Sequence, residues 1–524
     1  MSRGDAGALR AAPGERPTRG SAGSPQALVL PPHHAGVGVL RVYWKMHMPV
    51  QRAFVFGVGA GRRGPGRACL GFGKREKDES VVGDRGWDRR SVLRGAAVVA
   101  GAAATGPLLG GTGTARAEGG DADALFRAGE FEQAGRAYEE ILKSDPENVH
   151  AARQRGYVGL LSNRFPEAEK YLSMALGSAP DDKEAHHLLA DCYTRQDKLS
   201  LAAPHWQAAG EEVSAKWAAA VKGTPYQVHG DVARLPWSEM DPFPILEGSV
   251  NGGPPKRFTF YTRVPWLGIS AKVAKEAGLS AVASQKIEYA GHTLWMYFGV
   301  LGSFRLGGIE LRNVPVQWSE SDEETPGQDN DGIIGTWILY HFLTTVDYAG
   351  RALILRRRTP AAARKVRADA ARAGAAPLPL WLAREHLLHS RGSVADSGPR
   401  VIALDLGGTG EQVAGISAET AERLRIRTDY DRPLEAFAGG QPVVSYPCYP
   451  KEVRLGGAVA RHAYCYTDKG GGAGGLRLAD AENAAPGDYG FDVLAHFAHS
   501  FYKPFNITLD FTDMNVYIAR GKAT

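Results

Sequence analysis

The chain has 524 residues with a globular composition, 44% hydrophobic and 23% charged, and a formal net charge of +5. This length exceeds that of one small domain, so we expect two to four domains. The positive charge is confined to residues 1–117, which hold 18 Lys/Arg and 7 Asp/Glu, whereas residues 118–524 hold 44 and 50. The part expected to fold is therefore mildly acidic, which gives no basis for nucleic-acid binding.

The first 117 residues have the pattern of a leader and a targeting signal rather than that of a folded domain. Residues 1–87 are rich in Gly, Arg, Ala and Pro without a regular period, which indicates a disordered leader or an over-extended start. Residues 88–117 hold an Arg-Arg pair, an apolar run, and the sequence ARA at 115–117. This order resembles a twin-arginine export signal with its cleavage site, which implies a secreted, periplasmic or cell-surface location. Because the run contains glycines and Pro107, no stable membrane span is expected.

A period of 34 residues follows in 121–222, and Pro146 and Pro180 close its first two units. The pattern resembles the tetratricopeptide repeat (TPR), in which small residues let neighbouring helices approach and large residues fill the groove. The resemblance implies an α-helical stack. Its role stays open between a spacer packed on its neighbour and a concave surface for a protein partner. The repeated columns are Phe131, Phe165 and Leu199; Ala134, Ala168 and Ala202; Tyr138, Leu172 and Trp206; and Ile141, Ala175 and Ala209.

Short alternating strands with Gly/Pro turns begin near residue 243. From there on, the sequence consists of two similar copies. The copies span 243–358 and 385–524, and a basic, alanine-rich stretch at 359–384 is expected to link them. Three blocks recur in the same order, which indicates a duplicated domain. They are GSV at 248 and 392, RLGG at 305 and 454, and FLTTVDY at 342 against FNITLDF at 505.

Each copy resembles the retropepsin-like lobe of aspartic proteases. The first has ISAKVA from Ile269 and DGIIGT at 331–336; the second has ISAETA from Ile416, with GFDVL at 490–494 as the expected counterpart of DGIIGT. The resemblance implies an α+β chain, in which a helical repeat stack precedes two all-β lobes in a bilobal acid-protease fold. It also implies a cleft that takes peptide or protein and needs neither cofactor nor metal.

Aspartic proteases hold one Asp-Thr-Gly turn in each lobe, and the two acids share a proton around one water. The second copy offers Asp405-Leu406-Gly407-Gly408, which keeps the acid and the glycines. The first offers Tyr261-Thr262-Arg263 at the matching position, where tyrosine replaces the acid and arginine the glycine. We therefore expect Asp405 as the catalytic residue, Tyr261 at the degenerate partner position, and Thr262, Arg263, Gly407 and Gly408 as supports.

Other assignments of these segments stay open. The frame Gly408-Thr409-Gly410 fits the spacing to Ser417 better, but loses the aspartate. Residues 403–410, ALDLGGTG, also resemble the phosphate-binding turn of actin-like sugar kinases, a short motif that here lacks the long domain such kinases need after it.

Two functions follow for the whole chain. One is an exported aspartic-protease-like protein that binds, and in an active form hydrolyses, peptide or protein in the cleft. The alternative is a catalytically dead pseudoprotease or scaffold whose TPR repeats mediate protein–protein interaction. An unorthodox hydrolase would need another group beside Asp405, for which Asp329 and Asp331 are acidic candidates and more plainly turn residues.

The cysteines add one structural question. Cys448 and Cys465 lie eight residues on either side of Gly456-Gly457, so a hairpin turned at these glycines makes them cross-strand partners. An exported protein could oxidise the pair to a disulfide. Pro447 and Pro450 disturb the strand register, and a free pair of thiols fits the sequence equally well.

Overall fold

The computed structural model describes residues 121–241, 243–289, 292–321, 330–384, 386–407, 411–438, 441–469 and 489–521. The predicted leader, the predicted export signal, Asp329 and Gly408 lie outside these residues. Among the helices that are described, none is long and apolar enough to cross a membrane.

The described chain begins with a stack of helices whose starts follow the 34-residue period. Phe131, Phe165 and Leu199 each begin the second helix of a pair. The small residues of the next column are fully buried, and at Gly156 a Cβ atom would lie only 2.6 Å from Leu172 Cγ on the facing helix. Close approach at small residues therefore sets the helix spacing. The helices are α1 (Ala122–Arg127), α2 (Phe131–Ser144), α3 (Val149–Leu161), α4 (Phe165–Ser178), α5 (Lys183–Arg195), α6 (Leu199–Ala209) and α7 (Glu212–Ala220).

The next part of the chain is rich in strands, and most of these form an eight-stranded sheet in the order β1-β8-β5-β9-β4-β3-β7-β6. Ser270 begins the helix after β5 by accepting a hydrogen bond from Val273 N. The elements are β1 (Gln227–His229), β2 (Val232–Pro236), β3 (Ile245–Val250), β4 (Lys256–Phe260), β5 (Leu267–Ser270), α8 (Ala271–Glu276), β6 (Ala283–Tyr289), β7 (His292–Leu306), β8 (Ile309–Ser321), β9 (Gly332–Ile334), α9 (Thr336–Tyr340), β10 (Phe342–Asp347) and β11 (Ala352–Arg357).

A second set of elements completes the described chain and forms an eleven-stranded sheet. Ser417 begins α11 as Ser270 begins α8, accepting from Thr420 N. The elements are α10 (Pro360–Arg372), β12 (Leu378–Pro379), β13 (Trp381–Ala383), β14 (Leu387–Val394), β15 (Ser397–Leu404), β16 (Ala414–Gly415), α11 (Ala418–Arg423), β17 (Arg427–Thr428), β18 (Leu434–Ala438), β19 (Gln441–Tyr449), β20 (Glu452–Leu455), β21 (Ala458–Arg461), β22 (Cys465–Thr467), β23 (His496–Phe497), α12 (His499–Tyr502), β24 (Phe505–Asp510) and β25 (Asn515–Arg520).

The two sets repeat one topology, and the strand register aligns them residue by residue. In the first, Ile334 of β9 pairs in parallel with Phe260 of β4. In the second, Phe497 of β23 pairs in parallel with Leu404 of β15. Phe260 therefore corresponds to Leu404, and the next residue in each copy is Tyr261 or Asp405.

This register corrects one expectation. The counterpart of the DGIIGT segment is not GFDVL at 490–494, because β23 lies at His496–Phe497. The polar His496 interrupts the apolar pattern that marks this strand in the first copy. Phe491 instead packs on the helical stack, with its ring 5.0 Å from that of Phe131.

A six-stranded sheet in the order β12-β25-β24-β10-β11-β2 joins the copies. Each copy contributes two strands, β10 and β11 or β24 and β25, and the stretch before each copy contributes a third, β2 or β12. At its centre β10 and β24 run antiparallel, with Thr345 opposite Thr508. These threonines hold equivalent places in the two copies, and their hydroxyl oxygens lie 2.9 Å apart in a hydrogen bond. The pairing of equivalent residues places a local two-fold axis between them. The stretch expected as a linker, 359–384, holds α10 and also supplies β12 to this sheet.

The helical stack docks on the second copy through an aromatic cluster. The Phe131 ring lies 4.8 Å from Trp381, edge to face, and Phe126 lies 6.0 Å from Phe491. The buried Arg195 of α5 donates to the carbonyl oxygen of Leu382 at 3.2 Å and pairs with Asp191. The repeats and the β-rich region therefore share one hydrophobic core and are not two independently packed domains.

We predict that Trp381→Ala lowers the free energy of unfolding by about 3–5 kcal/mol, because it leaves a cavity between the stack and the β-rich region. Urea unfolding followed by circular dichroism measures the loss. Trp295→Ala is the matched control, since Trp295 is 39% exposed and its truncation should change stability by about 0.5 kcal/mol or less. Equal losses in the two variants would contradict the shared core.

Candidate functional site

The first candidate turn, Tyr261-Thr262-Arg263, follows β4 and is buried throughout. Tyr261 N donates to the carbonyl oxygen of Ile334 at 3.1 Å, which holds the start of the turn against β9. A Cβ atom on Gly335 would lie 2.4 Å from the carbonyl oxygen of Val264. The absence of a side chain at Gly335 thus lets the residue after β9 pass directly beneath the turn.

The second candidate turn has the same attachment. Asp405 N donates to the carbonyl oxygen of Phe497 at 2.9 Å, the counterpart of the Tyr261–Ile334 bond. The side chain of Asp405 is also buried. From Tyr261 to Ser270 there are nine residues, and from Asp405 to Ser417 there are twelve. The three extra residues fall between the turn and β16, which leaves the register at Asp405 unchanged.

The Thr262 hydroxyl joins the two turns. It accepts a hydrogen bond from Leu406 N at 2.9 Å and lies 3.4 Å from the carbonyl oxygen of Leu404, to which it donates. These two backbone groups flank Asp405, so one side chain of the first copy fixes the peptide units on both sides of that acid. Leu406 is at the position equivalent to Thr262. It has no hydroxyl, so its side chain cannot make the equivalent hydrogen bonds to the first turn.

The turns are also in direct backbone contact. A Cβ atom on Gly407 would lie 2.1 Å from the carbonyl oxygen of Phe260 and 2.8 Å from Tyr261 Cα. Any other residue at Gly407 would therefore push the copies apart. The structure thus brings Tyr261, Thr262, Asp405 and Gly407 together.

Two phenols lie beside the acid. Burial raises the pKa values of Tyr348 and Tyr502 well above their usual value, and the neighbouring Asp405 carboxylate raises them further. The Tyr348 hydroxyl donates to the carbonyl oxygen of Leu406, which adds a further anchor for the second turn. Both tyrosines therefore stay protonated at neutral pH.

A comparison of the two copies could have identified these tyrosines from sequence. Their equivalents in the other copy are Phe511 for Tyr348 and Leu339 for Tyr502, so a hydroxyl appears in only one copy. A hydroxyl in one copy at a position that is apolar in the other copy indicates a polar site. Acidic residues alone do not reveal these two tyrosines.

Arg263 lies beside two histidines of the second copy, the buried His389 and the half-buried His496. Burial lowers the pKa of His389 to about 3, and the nearby positive charge of Arg263 contributes. Burial and Arg263 likewise lower the pKa of His496 to about 3. Both imidazoles are therefore neutral in the folded protein.

A third histidine, the buried His499, lies under the second turn. Burial lowers its pKa to about 4, with a contribution from Lys503. Its Nε2 atom is 3.3 Å from Asp241 Oδ1, and the Lys503 ammonium pairs with the same carboxylate at 2.5 Å. Its ring is 5.4 Å from that of Tyr348. Sequence reasoning missed all three histidines because nothing local marks them as buried.

The remaining predicted residues have structural positions. The Asp331 carboxylate accepts from Arg257 N at 2.9 Å, which ties the start of β9 to β4. Cys448 and Cys465 face each other on β19 and β22, while Gly456-Gly457 turn the intervening hairpin of β20 and β21. Both are free thiols in the structure. Burial raises the pKa of Cys448 to about 12, so its thiolate is scarce at neutral pH.

The arrangement supplies one carboxylic acid where paired acid–base chemistry needs two. A phenol at Tyr261, with an intrinsic pKa near 10, can donate a hydrogen bond but cannot share a proton with Asp405 as a second carboxylate would. The site therefore consists of two closely packed turns with one carboxylate, one guanidinium at Arg263 and protonated tyrosines beside them. This site can hold a polar group more readily than it can cycle a proton near neutral pH.

We predict that Thr262→Val destabilises the protein by about 2–4 kcal/mol, because Leu406 N and the Leu404 carbonyl oxygen both lose a buried partner. Thr262→Ser keeps the hydroxyl and should recover most of that loss. Thermal and urea unfolding of both variants measure the difference. If valine and serine cost the same stability, the hydroxyl bridge is not what holds the turns.

We also predict that the protein loses stability as the pH falls below about 6.5. The three histidines have folded pKa values of about 3 for His389, about 3 for His496 and about 4 for His499, below the usual value of 6.5. The unfolded chain therefore takes up protons first, and each histidine costs about 1.4 kcal/mol per pH unit until its folded pKa is reached.

Urea unfolding at pH 7.5, 6.5, 5.5 and 4.5 tests this dependence. His496→Asn should reduce the slope of stability against pH by about 1.4 kcal/mol per pH unit below pH 6.5, since it removes one titrating imidazole. A stability that stays constant or rises toward pH 4.5 would contradict the burial of these imidazoles in neutral form.

The family comparison identifies the helical stack. A model described as tetratricopeptide repeat matches residues 121–183 and 162–212, which confirms the predicted repeats. No curated protein matches the chain.

Several solved structures are similar to the stack. One is MamA AMB-1, with 22% identity, a TM-score of 0.17, and coverage of 17% of this chain and 49% of that chain. This chain thus spans about half the length of MamA AMB-1. A Thermobaculum terrenum O-GlcNAc transferase mutant shows 17% identity, a TM-score of 0.18, and coverage of 20% of this chain and 21% of its own.

The first TPR of Spaghetti, bound to an HSP90 peptide, shows 18% identity, a TM-score of 0.17, and coverage of 19% of this chain and 78% of that chain. The family match describes the helical stack of this chain. The described chain therefore consists of an N-terminal tetratricopeptide repeat stack followed by a β-rich region.

Proposed function

We propose that this protein is an exported, non-cleaving scaffold that binds protein partners, with a TPR stack docked on a bilobal region that resembles an aspartic protease. The observation that carries the proposal is the pair of turns bridged by Thr262, in which Tyr261 stands where the second copy has Asp405. Two turns held together in this way support the resemblance to a two-acid site, and position 261 carries a phenol where such a site needs the second acid.

The duplicated topology supports the retropepsin-like assignment. In each copy, the residue at the acid position donates its backbone N–H to the strand that passes beneath it. The Thr262 hydroxyl crosses between the turns, as the resemblance implies for the threonine of this motif. Export is supported by the sequence at 88–117.

Loss of the first acid has a specific chemical consequence. A paired site works because two adjacent carboxylates cannot both ionise, so one remains protonated to act as the acid. Asp405 has no such neighbour at position 261. Since paired groups act as a unit, removing either is expected to abolish most of the rate enhancement.

The repeats are the binding element of this scaffold, because stacked helical repeats present extended surfaces to protein partners. Part of that surface is covered by Trp381 and Phe491 of the chain itself. Ile141 on α2 and Leu201 on α6 are large apolar side chains that stay exposed. We propose that partners contact the surface around these two side chains, the outer helical face.

We predict that the protein does not cleave a denatured protein substrate between pH 6.5 and 7.5, a range in which the neutral histidines do not yet lower the stability of the fold. The double variant Tyr261→Asp with Arg263→Gly restores the acid and the glycine of the first turn, and should gain cleavage if the rest of the site is competent. Gel electrophoresis of the substrate and mass spectrometry of the products measure activity. Circular dichroism checks the fold of each variant.

Asp405→Asn is the control in both backgrounds, because it removes the remaining acid with little change in shape. Cleavage by the wild-type protein that disappears in Asp405→Asn would overturn the proposal of a non-cleaving site. Binding of the labelled substrate, measured by fluorescence anisotropy, should persist in Asp405→Asn and weaken in Ile141→Asp and Leu201→Asp. Unchanged binding in the last two variants would exclude the outer helical face.

A further inference from the structure

Two histidines of the helical stack lie against each other across a helix pair. His186 is on α5 and His205 is on α6, and their Nδ1 atoms are 2.8 Å apart. The rings are 5.1 Å apart between centroids and inclined by 36°. Two basic nitrogens therefore lie next to one another between adjacent helices.

The other nitrogen of His186 fixes the tautomer. Its Nε2 atom is 2.9 Å from the carbonyl oxygen of Pro180, which can only accept a hydrogen bond. Nε2 therefore carries the proton in the neutral ring, and Nδ1 presents a lone pair toward His205. A backbone carbonyl on the distal nitrogen is the usual device that orients a metal-binding histidine.

We propose that the Nδ1 atoms of His186 and His205 together bind one divalent transition-metal ion and clip α5 to α6. Two nitrogens at about 2.0–2.1 Å from one metal ion lie about 2.9–3.4 Å apart, depending on the angle between them. The observed separation reaches this range after a shift of a few tenths of an ångström. Both side chains are half-buried on helices, so the pair is largely preorganised.

The ligand set determines the class of metal. Two imidazoles suit Zn²⁺, Cu²⁺ and Ni²⁺ and do not suit Mg²⁺ or Ca²⁺. In the part of the chain that the structure describes, no cluster of three or more His, Cys, Asp or Glu residues forms a metal site. The ion would therefore have two protein ligands, and water would complete its coordination.

The side chains next to the pair formed by His186 and His205 have contacts of their own. His187, the next residue, turns instead to Glu211, with Nδ1 2.6 Å from Oε1, and packs edge to face on Trp206. The Tyr193 ring lies 5.7 Å from that of His205 and covers one side of the pair. The pair is thus held between the two helices by packing, whereas His187 is occupied by a carboxylate.

The test is isothermal titration of the full chain, without an affinity tag, with ZnCl₂, and with MgCl₂ as the negative control. His33 and His34, which lie outside the described residues, are replaced by alanine in every sample to remove a second histidine pair. We expect one Zn²⁺ per chain and no heat from Mg²⁺. With CuCl₂, electron paramagnetic resonance should show nitrogen coordination.

His186→Gln and His205→Gln should each weaken Zn²⁺ binding by about ten-fold or more, since each removes one of two ligands. His150→Gln is the matched control, because this exposed histidine pairs with Asp123 away from the site, and it should bind as the wild type does. Saturating Zn²⁺ should raise the thermal midpoint of the wild type and leave that of His205→Gln unchanged.

Absence of Zn²⁺ binding by the wild type, or binding by either glutamine variant as tight as that of the wild type, would overturn the metal site and leave a direct N–H···N hydrogen bond between the rings. Circular dichroism of each variant shows whether a loss of binding reflects a loss of fold. If His205→Gln unfolds, binding to His186→Gln decides the question.

Discussion

The hydrogen bonds of the Thr262 hydroxyl are the constraint on which the site depends. One oxygen of the first copy holds the peptide units before and after Asp405, and Gly407 permits the backbone contact that brings the copies to that distance. Tyr348 adds a second anchor on the same turn. Because these contacts are made by backbone groups and by residues other than the acids, the architecture of the turns persists whether or not both acids are present.

Much of the fold could be predicted from sequence, and the reason is repetition. The 34-residue spacing fixed the starts of α2, α4 and α6, since small buried residues recur at each helix crossing. Internal duplication aligned Tyr261 with Asp405 before any contact was known. The strand register gives the same alignment, because Phe260 and Leu404 pair in the same way with Ile334 and Phe497.

What escaped prediction depends on contacts between segments far apart in the chain. His496 breaks the apolar pattern of β23, so the similarity to DGIIGT is greater at 490–494 than at the strand itself. Trp381 and Phe491 look like ordinary strand and turn residues until the helical stack packs on them. The same applies to His389 and His499, whose neutrality follows from burial and cannot be read from neighbouring residues. Periodicity reports on local packing, and these features are not periodic.

The threonine pair on the local two-fold axis bears on how the site came to be asymmetric. Thr345 and Thr508 meet as equivalents, as two identical chains would meet at the axis of a homodimer. In such a dimer, any change to the turn appears twice, so an aspartate replaced by tyrosine removes both acids at once. Covalent joining of the halves releases them from that restriction. One turn can keep its carboxylate while the other acquires a phenol and a guanidinium, and each half becomes free to specialise.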